Sequence, residues 1–250
     1  MSVEIRASTE LPARREVFTL KTSDGLSLVA EWALPVDAES RATLVTFHPL
    51  PTAGGFMDSH VIRKASLRLP ALADIAVLRF NTRGTTSPHG TSEGVFEEAV
   101  GERFDVDAAL DAGRELRRPP LVALGWSFGT DLVLKFGRQA GVDAVVLMSP
   151  TLRHTTDAEL AAWAEPVEAG GIPIPITVLV PELDDYVQPE EARARFAAVP
   201  QARVVGVDGA KHLWVGEKYV SRALNEIASV ALGESVTLPS SWPDSTEGSP

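Results

Sequence analysis

The chain has 250 residues, with 34 acidic against 23 basic side chains and a formal net charge of −11. Hydrophobic residues make up 44% and charged residues 23%, proportions that supply a sizeable core and exclude wholesale disorder. The chain has no cysteine, which excludes disulfides, cysteine-ligated metals and a cysteine nucleophile. The acidic charge argues against nucleic acid and anionic membranes as partners, because their phosphate groups would be repelled.

The N-terminal stretch does not read as a targeting segment. Its first fifteen residues include Glu4, Arg6 and Glu10, which leave no uncharged apolar stretch for a secretory signal. No apolar run approaches the ~18 residues that a membrane span needs. We therefore expect a soluble, cytoplasmic protein.

Predicted strands and helices alternate along most of the chain. Two short alternating segments, 16–20 and 26–32, flank the turn sequence Thr22-Ser23-Asp24-Gly25 and predict a hairpin at a sheet edge. Further strands are predicted at 42–47, 75–80, 121–126, 144–148, 176–180 and 202–207. Helices are predicted at 59–68, 102–116, 128–139, 190–198 and 215–231. This order predicts an α/β fold with a mostly parallel, twisted sheet of about eight strands and helices on both faces.

The remaining segments suggest one domain and a tail. Residues 149–175 hold only a short helical stretch, around 157–164, and are too few for a second domain, so we expect a minimal lid. We assign residues 1–232 to a single domain. Residues 233–250 are rich in Ser, Pro and Gly and contain acidic but no basic side chains, which predicts a disordered acidic tail.

One serine lies in a sequence typical of a nucleophile. The pentapeptide Gly125-Trp126-Ser127-Phe128-Gly129 matches G-x-S-x-G, in which a tight strand-to-helix turn pushes the serine hydroxyl beyond the strand end. It follows a predicted buried strand and precedes a predicted helix. A second match around Ser92 has neither and is predicted to be a loop. Ser127 is therefore the candidate nucleophile, and a helix N-cap serine at an ordinary turn is the alternative.

A nucleophilic serine needs a histidine to take its proton and a carboxylate to orient that histidine. Both should follow later strands, because active sites of wound sheets gather at the carboxyl ends of the strands. Of the five histidines, His212 alone follows a late strand beyond Ser127. Asp184 and Asp185 follow the preceding strand. We favour Asp184 as the orienting carboxylate because it comes sooner after the strand, with Asp185 as the alternative.

Acyl transfer also needs donors for the developing oxyanion, and backbone N–H groups supply them most rigidly. One is expected from Phe128, the residue after the nucleophile, and the other from the loop that follows the strand at 42–47. Pro49 and Pro51 in that loop have no N–H. Leu50 is the leading candidate, and Thr52 is the weaker one.

Aromatic residues near the site could line a pocket. Trp126, Phe56 and Trp163 are the candidates, although core packing or surface cover is the favoured interpretation of each. No metal or organic cofactor is expected, because the histidines are scattered rather than paired at ligand spacing and no G-x-G-x-x-G motif follows a strand.

Along nearly all of residues 15–232 the chain resembles the α/β-hydrolase superfamily, and within it the small, nearly lidless bacterial hydrolases related to dienelactone hydrolases. The stretches that carry the resemblance are His48-Pro49-Leu50-Pro51 with Gly54-Gly55, Arg79-Phe80-Asn81-Thr82-Arg83-Gly84, Ser92-Glu93-Gly94 and the serine pentapeptide. Asp184-x-x-Val187 and His212 also fit the family pattern, which favours Asp184 over Asp185. Arg83 is expected to order a turn near the site, with substrate binding as the alternative.

The chain departs from that family at several positions. Leu50 replaces the second histidine of the HPHP segment, Pro181 stands in place of a glycine, and the loop at 85–90 is lengthened. These changes affect pocket shape and substrate more than the triad. Dienelactone members use a cysteine nucleophile, and in this chain, which has no cysteine, that chemistry falls to Ser127 or to no residue.

The motifs and the resemblance imply a serine hydrolase that cleaves small acyl esters through an acyl-enzyme on a Ser127–His212–Asp184 triad. The expected partner is a small-molecule acyl substrate at a shallow site, and a long-chain lipase is disfavoured. The alternatives are a peptidase or thioesterase using the same triad, and a non-catalytic binding protein of the same fold.

Overall fold

The structure is a computed structural model and describes residues 2–169 and 171–243. The strands in this range are β1 (Ser2–Glu4), β2 (Arg14–Lys21), β3 (Ser27–Leu34), β4 (Ala42–Phe47), β5 (Ile75–Phe80), β6 (Thr86–Ser87), β7 (Gly90–Thr91), β8 (Leu121–Trp126), β9 (Ala144–Met148), β10 (Ile176–Leu183), β11 (Ala202–Lys211) and β12 (Ser241–Pro243). The α-helices are α1 (His60–Ala73), α2 (Glu102–Glu115), α3 (Phe128–Leu132), α4 (Asp157–Ala161), α5 (Pro189–Arg195) and α6 (Glu217–Leu232). Short 3₁₀ turns occupy Pro51–Ala53, Ala162–Ala164 and Phe196–Ala198, and a π-turn occupies Val133–Gly137.

Eight strands form the main sheet, in the order β11-β10-β9-β8-β4-β5-β3-β2. The six strands from β11 to β5 are parallel to one another, whereas β3 is antiparallel to both β5 and β2. The predicted hairpin is therefore β2 and β3, at one edge of the sheet. Strands β4, β5, β8 and β9 are buried along their whole length, which explains their continuous apolar sequences. The predicted α/β architecture is confirmed.

Helices cover both faces of the sheet. The buried residues of α6 recur at spacings of three and four, and this stripe packs with Ile62 and Leu69 of α1 in one apolar cluster. Val106 of α2, Leu132 of α3 and Ala192 of α5 belong to a second cluster on the other face. In the part of the chain that the structure describes, no helix combines the length and apolar character needed to cross a bilayer.

Two helices differ most from their predicted bounds. Helix α1 continues through Pro70 to Ala73, although proline removes the backbone N–H that would bond the carbonyl of Ser66. The guanidinium of Arg15 donates to that Ser66 carbonyl at 3.3 Å and replaces the missing donor. The helix predicted at 128–139 instead passes from α3 into the π-turn.

The C-terminal segment departs from expectation. Residues 233–243, which composition assigned to a disordered tail, run back along α6, where the Val236 amide donates to the Ser229 hydroxyl at 2.9 Å. They end in β12, which pairs antiparallel with β1. This pairing joins the two ends of the described chain, so local composition carries no sign of it. Residues 244–250 of the expected tail lie outside the described residues.

Candidate active site

Ser127 occupies a strained turn between β8 and α3. Its backbone has φ 54° and ψ −118°, a region that costs a non-glycine residue about 1–3 kcal/mol. Two main-chain bonds hold it there: the Ser127 amide donates to the Met148 carbonyl at 2.9 Å, and the Thr130 amide donates to the Ser127 carbonyl at 2.9 Å. The surrounding structure therefore keeps the hydroxyl at the carboxyl end of the sheet.

The two glycines of the pentapeptide are required by close packing. A Cβ on Gly125 would lie 2.4 Å from the Gly129 carbonyl oxygen. A Cβ on Gly129 would lie 2.0 Å from the carbonyl oxygen of Phe47 in β4. Both distances are far below van der Waals contact, so a side chain at either position would push the turn away from the sheet.

The structure brings together the three side chains selected from the sequence. His212 Nε2 lies 2.9 Å from Ser127 Oγ, and His212 Nδ1 lies 3.0 Å and 2.9 Å from the two carboxylate oxygens of Asp184. All three residues are buried. A carboxylate at Nδ1 favours the tautomer with the proton on Nδ1, which leaves the Nε2 lone pair facing the serine hydroxyl. This arrangement can accept a proton from the hydroxyl.

Asp184, rather than Asp185, contacts the imidazole. The Asp184 carboxylate is buried and also accepts the amide of Tyr186 at 2.9 Å. Asp185 is exposed and lies in the cavity wall. The favoured alternative from the sequence is therefore the one that reaches His212.

A cavity of about 320 Å³ opens over the serine hydroxyl. Leu50 and Phe128 line it together with Ser127 and His212, whereas Thr52 is outside its wall. Neither the Leu50 amide nor the Phe128 amide donates to a protein acceptor within the described residues. Both N–H groups are therefore without a protein acceptor in this part of the chain.

The loop that carries Leu50 is ordered by a neutral histidine. His48 is fully buried, its Nε2 accepts the Thr82 amide at 3.1 Å, and its Nδ1–H donates to the Pro49 carbonyl at 2.7 Å. Burial lowers the pKa of His48 to about 4, although the bond to Pro49 raises it. The Gly55 amide closes the loop by donating to the Leu50 carbonyl at 2.9 Å.

The three aromatic pocket candidates lie outside the wall of this cavity, which agrees with the interpretation of core packing or surface cover. Trp126 is buried beneath the site, where its indole N–H donates to the His212 carbonyl at 3.2 Å. Trp163 is buried against the π-turn and donates to the Leu134 carbonyl at 2.9 Å. Phe56 faces a separate depression on the surface. Each ring packs where its own backbone directs it, which residue type alone does not predict.

Residues on the loops after β9 and β10 line the cavity instead. The Tyr186 ring packs at 4.6 Å from the His212 ring, and the Arg153 guanidinium lies 4.6 Å from the Tyr186 ring centre. The buried carboxylate of Asp131 accepts the Thr155 hydroxyl at 2.6 Å and the backbone amide of residue 154 at 3.1 Å, which holds the loop that carries Arg153. Tyr186 follows Asp184 by two positions, and this closeness is the signal that could have identified it.

Two other residues of the recognised motifs have structural contacts. Arg83 is buried, and its side chain reaches Asp105 at 2.9 Å and Glu97 at 2.9 Å, which favours the ordering-turn interpretation. Ser92 is buried in a loop, where its hydroxyl donates to the Asn81 carbonyl at 2.8 Å. In residues 2–169 and 171–243, no group of three or more His, Asp or Glu side chains could hold a metal ion.

No protein-family model and no curated protein matches the chain, but solved structures do. A lidless α/β serine hydrolase from Xanthomonas campestris has 24% identity and a TM-score of 0.66, with coverage of 90% of this chain and 94% of its own. The chain has the α/β-hydrolase fold. An α/β serine hydrolase homologue from Coxiella burnetii is 22% identical with a TM-score of 0.67, and covers 87% of this chain and 96% of its own. An esterase from Pyrococcus furiosus is 18% identical with a TM-score of 0.64, and the match covers 88% of this chain and 94% of the esterase.

Proposed function

We propose that this α/β-hydrolase-fold protein is a serine hydrolase that cleaves small carboxylic esters. The observation that carries the proposal is the hydrogen-bonded series Asp184–His212–Ser127, in which Ser127 lines the cavity. The esterase from Pyrococcus furiosus and a ferulic-acid-bound protein from Butyrivibrio proteoclasticus have similar folds, which supports the same class of activity.

Acylation follows from the positions of the polar atoms. Ser127 Oγ attacks the ester carbonyl carbon as its proton passes to His212 Nε2, 2.9 Å away. Asp184 keeps the imidazole oriented and stabilises its positive charge. The amides of Phe128 and Leu50 bind the oxyanion. When the carbon–oxygen bond of the ester breaks, the leaving alcohol takes the proton from Nε2 and an acyl-Ser127 remains.

Deacylation reverses these roles. Water enters from the open side of the cavity and gives a proton to His212 Nε2 as its oxygen attacks the acyl carbon. The tetrahedral species then releases the carboxylic acid as the proton returns to Ser127 Oγ. The groups used in both proposed steps are side chains and amides of this chain and the attacking water.

The cavity indicates the size of the substrate. Its volume of about 320 Å³ suits a short acyl or small aromatic group. Leu50, Phe128 and the half-exposed Leu213 provide its apolar wall. Thioester and peptide substrates share the acyl-enzyme step, so a substrate panel must separate them. The expected cytoplasmic location and single-domain organisation stay predictions.

Labelling with a fluorophosphonate tests the proposal directly. Wild type should be labelled and should hydrolyse p-nitrophenyl acetate faster than long-chain esters, thioesters or anilides. Ser127→Ala should abolish labelling, and His212→Ala should slow it strongly. Ser92→Ala is the matched control, because Ser92 is also buried and lies in the second G-x-S-x-G match. Undiminished labelling of Ser127→Ala, or an unlabelled wild type, would contradict the proposal, and the latter would favour a non-catalytic binding protein.

A further inference from the structure

A second buried serine contacts the loop that carries His212. This base loop, residues 212–216, connects β11 to α6. Ser149 directly follows β9 and is fully buried. Its Oγ lies 3.0 Å from the His212 carbonyl oxygen and 2.9 Å from Nε1 of Trp214. The hydroxyl therefore bonds the base loop at two points.

The direction of these two bonds is determined by chemistry. The indole N–H of Trp214 can only donate, and the carbonyl of His212 can only accept. The Ser149 hydroxyl must therefore accept from Trp214 and donate to His212. A hydroxyl held at both ends in one orientation fixes the main chain that carries the imidazole.

Ser149 also links the base loop to the nucleophile turn. The preceding residue, Met148, accepts the Ser127 amide at 2.9 Å, and the Ser149 amide itself donates to Leu179 of β10 at 2.9 Å. The end of β9 thus holds the backbone of Ser127 through one residue and the backbone of His212 through the next. Ser149 adopts φ 49°, a left-handed conformation that is unfavourable for serine, and this conformation accompanies the contact.

We propose that Ser149 is a positioning residue that sets the His212 imidazole at hydrogen-bond distance from the Ser127 hydroxyl. The proposal rests on the proposed function. Trp126 donates to the same His212 carbonyl at 3.2 Å, so the carbonyl keeps one donor when the Ser149 hydroxyl is removed. The loop then stays near its place but loses both bonds that tie it to the end of β9.

Removal of the hydroxyl should affect chemistry more than binding. We expect Ser149→Ala to lower kcat for p-nitrophenyl acetate by about 10- to 100-fold, because small misplacements of reacting groups reduce rates by such factors. KM should stay within about threefold, since Ser149 is outside the cavity wall. The rate of fluorophosphonate labelling should fall in parallel with kcat.

Ser92→Ala is the matched control for the loss of a buried hydroxyl. Ser92 also accepts one bond, from Val29 at 3.0 Å, and donates another, to Asn81 at 2.8 Å, but it does not contact the base loop. We expect both variants to lower the melting temperature, and only Ser149→Ala to lower kcat. If Ser149→Ala does not fold, Ser149→Gly removes the hydroxyl while it relieves the positive φ.

A double-mutant cycle separates positioning from a general structural role. In a His212→Ala background, Ser149→Ala or Ser149→Gly should leave the residual hydrolysis rate unchanged, because the group it positions is gone. An equal fall in the hydrolysis rate in the wild-type and His212→Ala backgrounds would overturn the positioning role. An unchanged kcat in Ser149→Ala alone would also overturn it. An unlabelled wild type would overturn the proposed function with it, so the two failures are distinguishable.

Discussion

Acidification should destabilise the protein through His48. Its Nε2 accepts the Thr82 amide, so protonation would place a second hydrogen between the two nitrogens. Burial lowers the pKa of His48 to about 4 from an ordinary 6.5. The stability that comes from the neutral imidazole is therefore fully present above pH 6.5 and is lost as the pH falls towards 4. The difference between the two pKa values corresponds to about 3 kcal/mol.

Urea unfolding of wild type and His48→Gln measures this contribution. The glutamine of the variant does not titrate, and all other titrating groups are common to both proteins. The difference between their free energies of unfolding therefore isolates the contribution of His48. Between about pH 7.5 and about pH 4.5, the stability advantage of wild type over the variant should shrink by about 2.5 kcal/mol. An advantage that stays constant over this range would refute the reasoning that His48 is held neutral.

Two further predictions concern the serine turn and its partners. Asp184→Asn should lower kcat for ester hydrolysis by about 10³- to 10⁴-fold, whereas the exposed Asp185→Asn should stay within about threefold in the same assay. Similar losses in both variants would contradict the assignment of Asp184. Gly129→Ala should prevent folding or strongly lower the melting temperature, because its Cβ would lie 2.0 Å from a carbonyl oxygen of β4. Gly54→Ala is the control, because Gly54 has a positive φ but a Cβ there would have no atom within 4 Å. It should lower the free energy of unfolding by only about 1 kcal/mol. A loss of stability in Gly129→Ala that is no larger than in Gly54→Ala would contradict the packing argument.

The sheet and the three polar residues were predictable because their signals are local. Buried parallel strands have continuous apolar sequences, and their carboxyl ends meet at one edge. Position after a strand was therefore enough to select His212 from five histidines. It was also enough to rank Asp184 above Asp185, which differ by one position but face the imidazole and the solvent respectively.

Other features depend on contacts between distant segments. Pro70 predicts a helix end, but Arg15, far away in sequence, supplies the donor that the helix lacks. Residues 233–243 are polar in composition, yet β12 is paired with β1 from the opposite end of the chain. Nothing in the local pattern of either segment indicates its partner.

The aromatic residues show a third limit. Strand side chains alternate between the two faces of a sheet. Trp126, the last residue of β8, is therefore buried beneath the cavity although it directly precedes Ser127. The cavity wall includes Tyr186 and Leu213, which lie within two positions of Asp184 and His212 in the sequence. In this protein the loops that carry the acid and the base line the cavity, whereas the strand that precedes the serine does not.

The groups that react and the groups that place them differ in how visible they are in the sequence. A serine nucleophile of this fold needs a tight turn, and this requirement leaves a motif in the sequence. The positioning groups need only a polar atom within reach of the segment that they hold, so Ser149 and Asp131 carry no motif. Many residue types at many positions could meet such a demand. Their roles therefore become visible only when the distances between backbone segments are known.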